Sequence, residues 1–273
     1  MHKFYDQWPE IASESYHTKV DKIRLGGIDH IVFAGMGGSG SIGDVFSSIL
    51  SKTNIHVSIV KGYLLPKTVD SKTLVVVTSV SGNTDESISI LKDTKKIRTN
   101  AIAFSSGGKI EKFCNKNQIE HRNIQQIHSP RASFSSFLYS MLSVLQPLLP
   151  IKSSDITESI KHLQKLGKNI SSDNLNSDNK ALELAEWING IPITYYPWGL
   201  NAAAIRFRNS LQENAKIHAM IEDVVESSHN GIVAWEKPSS VQPILLRGKD
   251  DYYKTHERWK ILKEYFEKKD VDY

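Results

Sequence analysis

The sequence predicts an α/β protein of two domains, built on doubly wound parallel sheets. Three observations carry this. Short apolar runs alternate with stretches of helical apolar spacing through most of the chain. Two of these runs end in turns rich in glycine or hydroxyl residues, at 35–44 and 79–84. A polar stretch, Ser171-Ser172-Asp173-Asn174-Leu175-Asn176-Ser177-Asp178-Asn179, separates two such alternating halves.

The elements follow in order. A leading helix is expected over 5–25, with Pro9 suited to its first turn. Buried strands are expected at 29–34, 55–60, 74–78 and 100–104, and a shorter one at 119–124. Helices are expected from Val45, over 84–97 with Asp85 and Glu86 in the first turn, over 109–116 after the Gly107-Gly108 break, and over 133–149. An amphipathic helix carrying Ile156, Ile160, Leu163 and Leu166 opens the linker region. The second half reads as helix 180–188, strand 192–196, a long helix 200–220, strand 242–247, helix 254–268 and a final strand beginning at Val271. The domains are therefore placed at 1–152 and at 153–273, the latter a linker helix and a shortened second domain.

Composition narrows the function. Of 273 residues, 40% are hydrophobic and 23% charged, and the net charge is +4 without a long basic run. Nucleic acid is not the favoured partner, while an anionic small molecule suits the mild positive charge. Cys114 is the only cysteine, so neither an intrachain disulfide nor a thiolate metal cage is available. The ten histidines show no metal-ligand spacing with carboxylates, and no metal is expected. The N-terminus does not read as a signal peptide, and no apolar run approaches the ~20 residues of a membrane span, so a cytoplasmic protein is expected.

The turn Gly35-Met36-Gly37-Gly38-Ser39-Gly40 joins a strand to a helix. Glycines admit an anion close to the backbone, and the helix N-terminus offers partial positive charge. Its spacing satisfies the dinucleotide fingerprint, but no carboxylate ends the second strand to take a ribose, which argues against a nicotinamide cofactor. A phosphate ligand, or tight strand–helix packing alone, remains. Ser79, Ser81 and Thr84 form a second hydroxyl-rich turn at the same sheet edge, either as helix caps or as a cradle for a phosphate monoester. Arg131 is either a surface charge or a cation for a phosphate or a developing oxyanion. Glu213 lies in a polar stripe of the long helix, either solvated or a general base facing a cleft. His229 is either an idle loop histidine or an acid/base working near neutral pH.

Taken together, Gly35–Asp44, Ser79–Thr84, Lys61-Gly62-Tyr63-Leu64-Leu65-Pro66, Pro130-Arg131-Ala132, Glu213-Asn214-Ala215-Lys216 and His229-Asn230 resemble the bifunctional phosphoglucose/phosphomannose isomerases. The match follows the same order along nearly the whole chain. The resemblance implies two flavodoxin-like SIS (sugar isomerase) domains and aldose–ketose isomerisation of a hexose 6-phosphate through a cis-enediol, without a cofactor. It implies that Gly38, Ser39, Ser79, Ser81 and Thr84 hold the phosphate. Glu213 would shuttle a proton between C1 and C2, Arg131 would stabilise the enediolate, and His229 would open the ring from the neighbouring subunit of a homodimer. Family members carry a further C-terminal strand and helices with a threonine and a lysine of the site. Lys263 and Lys268 do not match that lysine, so the second domain is expected to be incomplete at its C-terminus. The rival expectation is a non-catalytic phospho-sugar-binding protein, regulatory or degenerate. A nucleotide-binding oxidoreductase is the third.

Overall fold

The computed structural model describes residues 1–273 as two compact units, 1–180 and 181–273. In the first unit the elements run α1 (His2–Asp6), α2 (Trp8–His17), β1 (His30–Ala34), α3 (Gly37–Leu50), β2 (His56–Val60), β3 (Thr73–Ser79), α4 (Asp85–Ile97), β4 (Asn100–Ser105), α5 (Gly108–Asn117), β5 (Glu120–Asn123), α6 (Phe134–Leu145) and α7 (Ser153–Asn169). The strands form one parallel sheet in the order β2-β1-β3-β4-β5. That order is doubly wound, and the chain reverses direction across the sheet between β1 and β3.

Strand residues alternate between two cores, as a period of two requires. Ile31, Phe33, Leu74, Val76, Ile102 and Phe104 face one layer, packed with Phe46 of α3, Phe137 of α6 and Ile156 of α7. Val32, Ala34, Val75, Val77 and Ala103 face the other, against Ile90 and Leu91 of α4 and Ile110 of α5. The central strands read as unbroken apolar runs because both faces are covered.

In the second unit come α8 (Lys180–Trp187), β6 (Ile191–Tyr196), α9 (Asn201–Ser210), β7 (Met220–Asp223), α10 (Val224–Ser227), β8 (Val241–Leu245) and α11 (Tyr253–Lys268). The sheet is parallel, ordered β7-β6-β8. Ile193 and Tyr195 of β6 pack with Trp235 and with Trp259, Leu262 and Phe266 of α11.

Three expectations are corrected. The leading helix ends at His17 rather than near 25, and the backbone turns extended at Thr18. Ile23 instead donates its N–H to the Val144 carbonyl, an anchor no local pattern reveals. The helix expected over 200–220 stops being α-helical at Ser210, passes through a π-helical turn at Leu211–Ala215 and gives way to β7. No strand forms at 271–273, where Val271 and Tyr273 pack sideways on the α11 core. The two compact units divide at 180/181, and α7 of the linker region buries Ile156 and Ile160 in the first unit's core.

At the opposite end of the first sheet from the turns, His30 is buried beside His56, ring centroids 4.7 Å apart. Its ring nitrogens meet Ser58 Oγ at 2.9 Å and Thr73 Oγ1 at 3.3 Å. Burial first, and then the neighbouring His56, hold its pKa below the ordinary 6.5. The unfolded chain therefore takes up this proton more readily, and stability is full above about 6.5 and declines as pH falls from there through the lower folded value. A melting series from pH 7.5 to 5.5 is expected to show a smaller drop in His30→Gln than in the parent. Equal drops would remove His30 as the cause.

Candidate functional site

The first cluster sits at the C-terminal ends of β1 and β3. The N-cap of α3 is Met36 and that of α4 is Thr84, and neither supplies a side-chain cap. Both helices therefore keep N–H groups for an incoming acceptor. The hydroxyls are engaged elsewhere. Ser39 Oγ is buried and accepts the Val80 N–H at 3.3 Å, which ties the glycine turn to the turn after β3. Ser79 Oγ and Thr84 Oγ1 lie 2.8 Å apart, each able to donate to the other or to a third group. Ser81 is exposed, and its Oγ accepts the Asn83 N–H at 3.4 Å. Capping does not account for the hydroxyls of Ser39 and Thr84.

The turn after β3 is braced from behind. Gly82 has φ +67°, and a Cβ there would collide with the Gly107 carbonyl oxygen. Ile110 N–H donates to Gly82 O at 2.9 Å, and Lys109 N–H to Asn83 Oδ1 at 3.1 Å. The Gly107-Gly108 pair is thus a packing surface for the hydroxyl turn. The signal that reveals this role is a glycine pair directly after a strand adjacent to the hydroxyl turn.

Arg131 is half-buried in the loop before α6. Ser133 Oγ accepts the Ile127 N–H at 2.8 Å, and Trp8 Nε1 donates to Ala132 O at 2.8 Å, so both sides of the loop are pinned. The Pro130 carbonyl lies 3.8 Å from where a Cβ on Gly38 would stand, which places this loop beside the glycine turn. Lys61 follows β2, and its Nζ donates to both carboxylate oxygens of Asp44 in α3, at 2.9 and 2.7 Å. Its Cε lies 3.2 Å from the Cβ position of Gly40. Within the first unit, then, the structure brings together Gly38, Ser39, Ser79, Thr84 and the Arg131 loop.

In the second unit Glu213 sits half-buried on the π-helical turn Leu211–Ala215. Such turns carry an extra residue per turn and re-aim side chains. Lys216, at φ +62°, closes the turn and donates its Nζ to the Glu213 carbonyl at 2.7 Å. His229 is exposed, with its backbone N–H on Glu226 O at 2.9 Å. Glu222 at the end of β7 is a feature the sequence reading missed. Burial holds its carboxyl above the ordinary range, against the opposing effect of the nearby Tyr195 hydroxyl, and Glu226 adds a lesser push upward. Tyr195 itself is pushed up to about 12, chiefly by burial.

Residues 25–149 match the SIS domain model, and residues 177–273 match the model of the bacterial phospho-glucose isomerase C-terminal SIS domain. The chain is 32% identical over 269 residues to a bifunctional phosphoglucose/phosphomannose isomerase of Caldicellulosiruptor bescii, covering 94% of this chain and 79% of that protein. It is 32% identical over 226 residues to a protein of the same name from Thermoplasma volcanium, covering 80% and 69%. Tagatose-6-phosphate ketose/aldose isomerase from Escherichia coli shares the fold, with TM-score 0.68 at 14% identity, over 98% of this chain and 78% of that one.

Proposed function

The chain belongs to the bifunctional phosphoglucose/phosphomannose isomerase family, and from that premise we propose that it interconverts glucose 6-phosphate or mannose 6-phosphate with fructose 6-phosphate. The observation that carries this reading is the paired turn at the ends of β1 and β3. Two helix N-termini there keep their N–H groups uncapped while Ser39, Ser79 and Thr84 gather at the same edge. A phosphate monoester is the ligand that such a set of neutral donors recognises. Gly38, Ser39, Ser79, Ser81 and Thr84 would hold it.

The chemistry then asks for three further groups. Proton abstraction beside a carbonyl needs a carboxylate base, and Glu213 takes the proton from C2 of the aldose and returns it to C1 of the cis-enediol. The developing oxyanion needs a fixed cation, which is Arg131. Opening the ring needs a group that moves a hydroxyl proton near neutral pH, which is His229. The reaction is a homodimer's, with His229 lent across the subunit interface. The exposure of His229, flanked by exposed Val225 and Val233, supports that part. No helix is long and apolar enough to cross a membrane. A cytoplasmic location fits the single cysteine, a buried free thiol.

The test is turnover of fructose 6-phosphate, followed through separate coupled assays for glucose and mannose 6-phosphate. Absent turnover, with the phospho-sugar still raising Tm, would establish the rival binding protein. The phosphate turn is tested by Thr84→Val, which keeps shape and removes Oγ1. Loss of a hydrogen bond to a charged group costs about 1.5–3 kcal/mol, so KM is expected to rise about 10- to 100-fold with kcat nearly unchanged. An unchanged KM would take Thr84 out of the phosphate site.

A further inference from the structure

The second unit holds a carboxylate that the proposed mechanism does not use. Glu222 pairs in register with Tyr195 across β7 and β6. Tyr195 is 1% exposed, and its oxygen accepts the Trp235 Nε1 proton at 2.9 Å. Glu222, its register partner on the neighbouring strand, is also its electrostatic neighbour. That carboxylate fills the side-chain space of Gly231, its two oxygens 2.6 and 2.7 Å from where a Cβ would stand. Gly231 follows His229-Asn230 directly. Asn230 is held from the other side, with Nδ2 on Glu226 Oε1 at 2.9 Å. Glu226 also accepts the His229 N–H through its carbonyl. The His229–Gly231 turn thus lies between two glutamates, one carboxylate in register with Tyr195 and set against Gly231, the other at the surface.

We propose that Glu222 is a positioning residue for His229, fixing the height of the His229–Gly231 turn above the sheet, and that residue 231 is glycine because this carboxylate occupies the side-chain space. The proposal rests on the isomerase reading for its catalytic consequence but on geometry alone for the positioning.

Glu222→Gln and Gly231→Ala are compared with the parent by imidazole NMR, the His229 signals being identified by their loss in His229→Asn. Both single variants are expected to shift those signals. They are also expected to lower kcat about 10- to 100-fold, the scale of a group misplaced by about an ångström, with KM unchanged. In Glu222→Asp/Gly231→Ala the shorter carboxylate vacates the space the methyl needs, and signals and kcat should move back towards the parent. Unmoved His229 signals in both single variants overturn the proposal, even if Tm falls. So does a double variant no better than Gly231→Ala alone. A parent without turnover defeats the isomerase reading instead, and the NMR arm and its rescue still decide the positioning.

Discussion

Glu213→Gln is expected to cut turnover of fructose 6-phosphate by at least about 10²-fold, the lower end of what a positioned general base contributes. The substitution keeps the side chain's shape and removes its basicity. Its place on the π-helical turn makes a folding explanation easy to separate. The turn is closed by Lys216, whose Nζ bonds the Glu213 backbone carbonyl rather than its carboxylate, so the substitution leaves that closure intact. Tm and KM should therefore stay near the parent values while kcat falls. Unchanged kcat would leave the isomerase standing and remove Glu213 as its base. A matched fall in Tm would show that the carboxylate serves the turn.

The largest stability effect is expected at Lys61. Asp44 has a side chain only 8% exposed, and the Lys61 ammonium supplies a hydrogen bond to each of its oxygens. Lys61→Met keeps the aliphatic stem over Gly40 but strands a buried carboxylate. Breaking a buried pair from one side costs about 3–5 kcal/mol, and the 39% exposure of Lys61 argues for the lower end. At about 2–4 °C per kcal/mol, calorimetry should show a fall of roughly 6–12 °C. Adding Asp44→Asn removes the stranded charge and should recover most of the loss. If the double variant melts no higher than Lys61→Met, the stem packing rather than the ion pair is what Lys61 contributes.

The first unit was legible because its central strands are covered on both faces, and an unbroken run such as Leu74-Val75-Val76-Val77 admits few other environments. The phosphate turns were legible because glycine and hydroxyl residues have few reasons to gather at a strand end. The second unit was harder to read. The apolar spacing of Ala204, Phe207 and Leu211 runs on through Ala215 and Ala219, so nothing local marks the π-helical turn or the left-handed Lys216. The strand Met220-Ile221-Glu222-Asp223 is half polar, and it is a strand because Tyr195 and its neighbours pair with it. Glu222 was invisible for the same reason. Its partners are 27 residues upstream on β6 and 9 residues downstream at Gly231, and only the fold brings them together. Ile23 likewise leaves the leading helix for a carbonyl on α6.

The backbone contact between Gly82 and Gly107 bears on how a ligand is met. The hydroxyl turn leans on the next crossover through main-chain atoms at Gly82 and Gly107, and the one side chain that joins them, Asn83, is already held by the Lys109 N–H, so little is left to order at the point of contact. The ordering entropy of that loop is spent when the sheet folds, not when a phosphate arrives. Association at this edge is therefore the docking of an anion on a preorganised receptor rather than the closing of a loop, and the amides of Val80 and Gly82, already bonded to Ser39 Oγ and Ser79 O, should resist hydrogen exchange as well before a ligand is added as after.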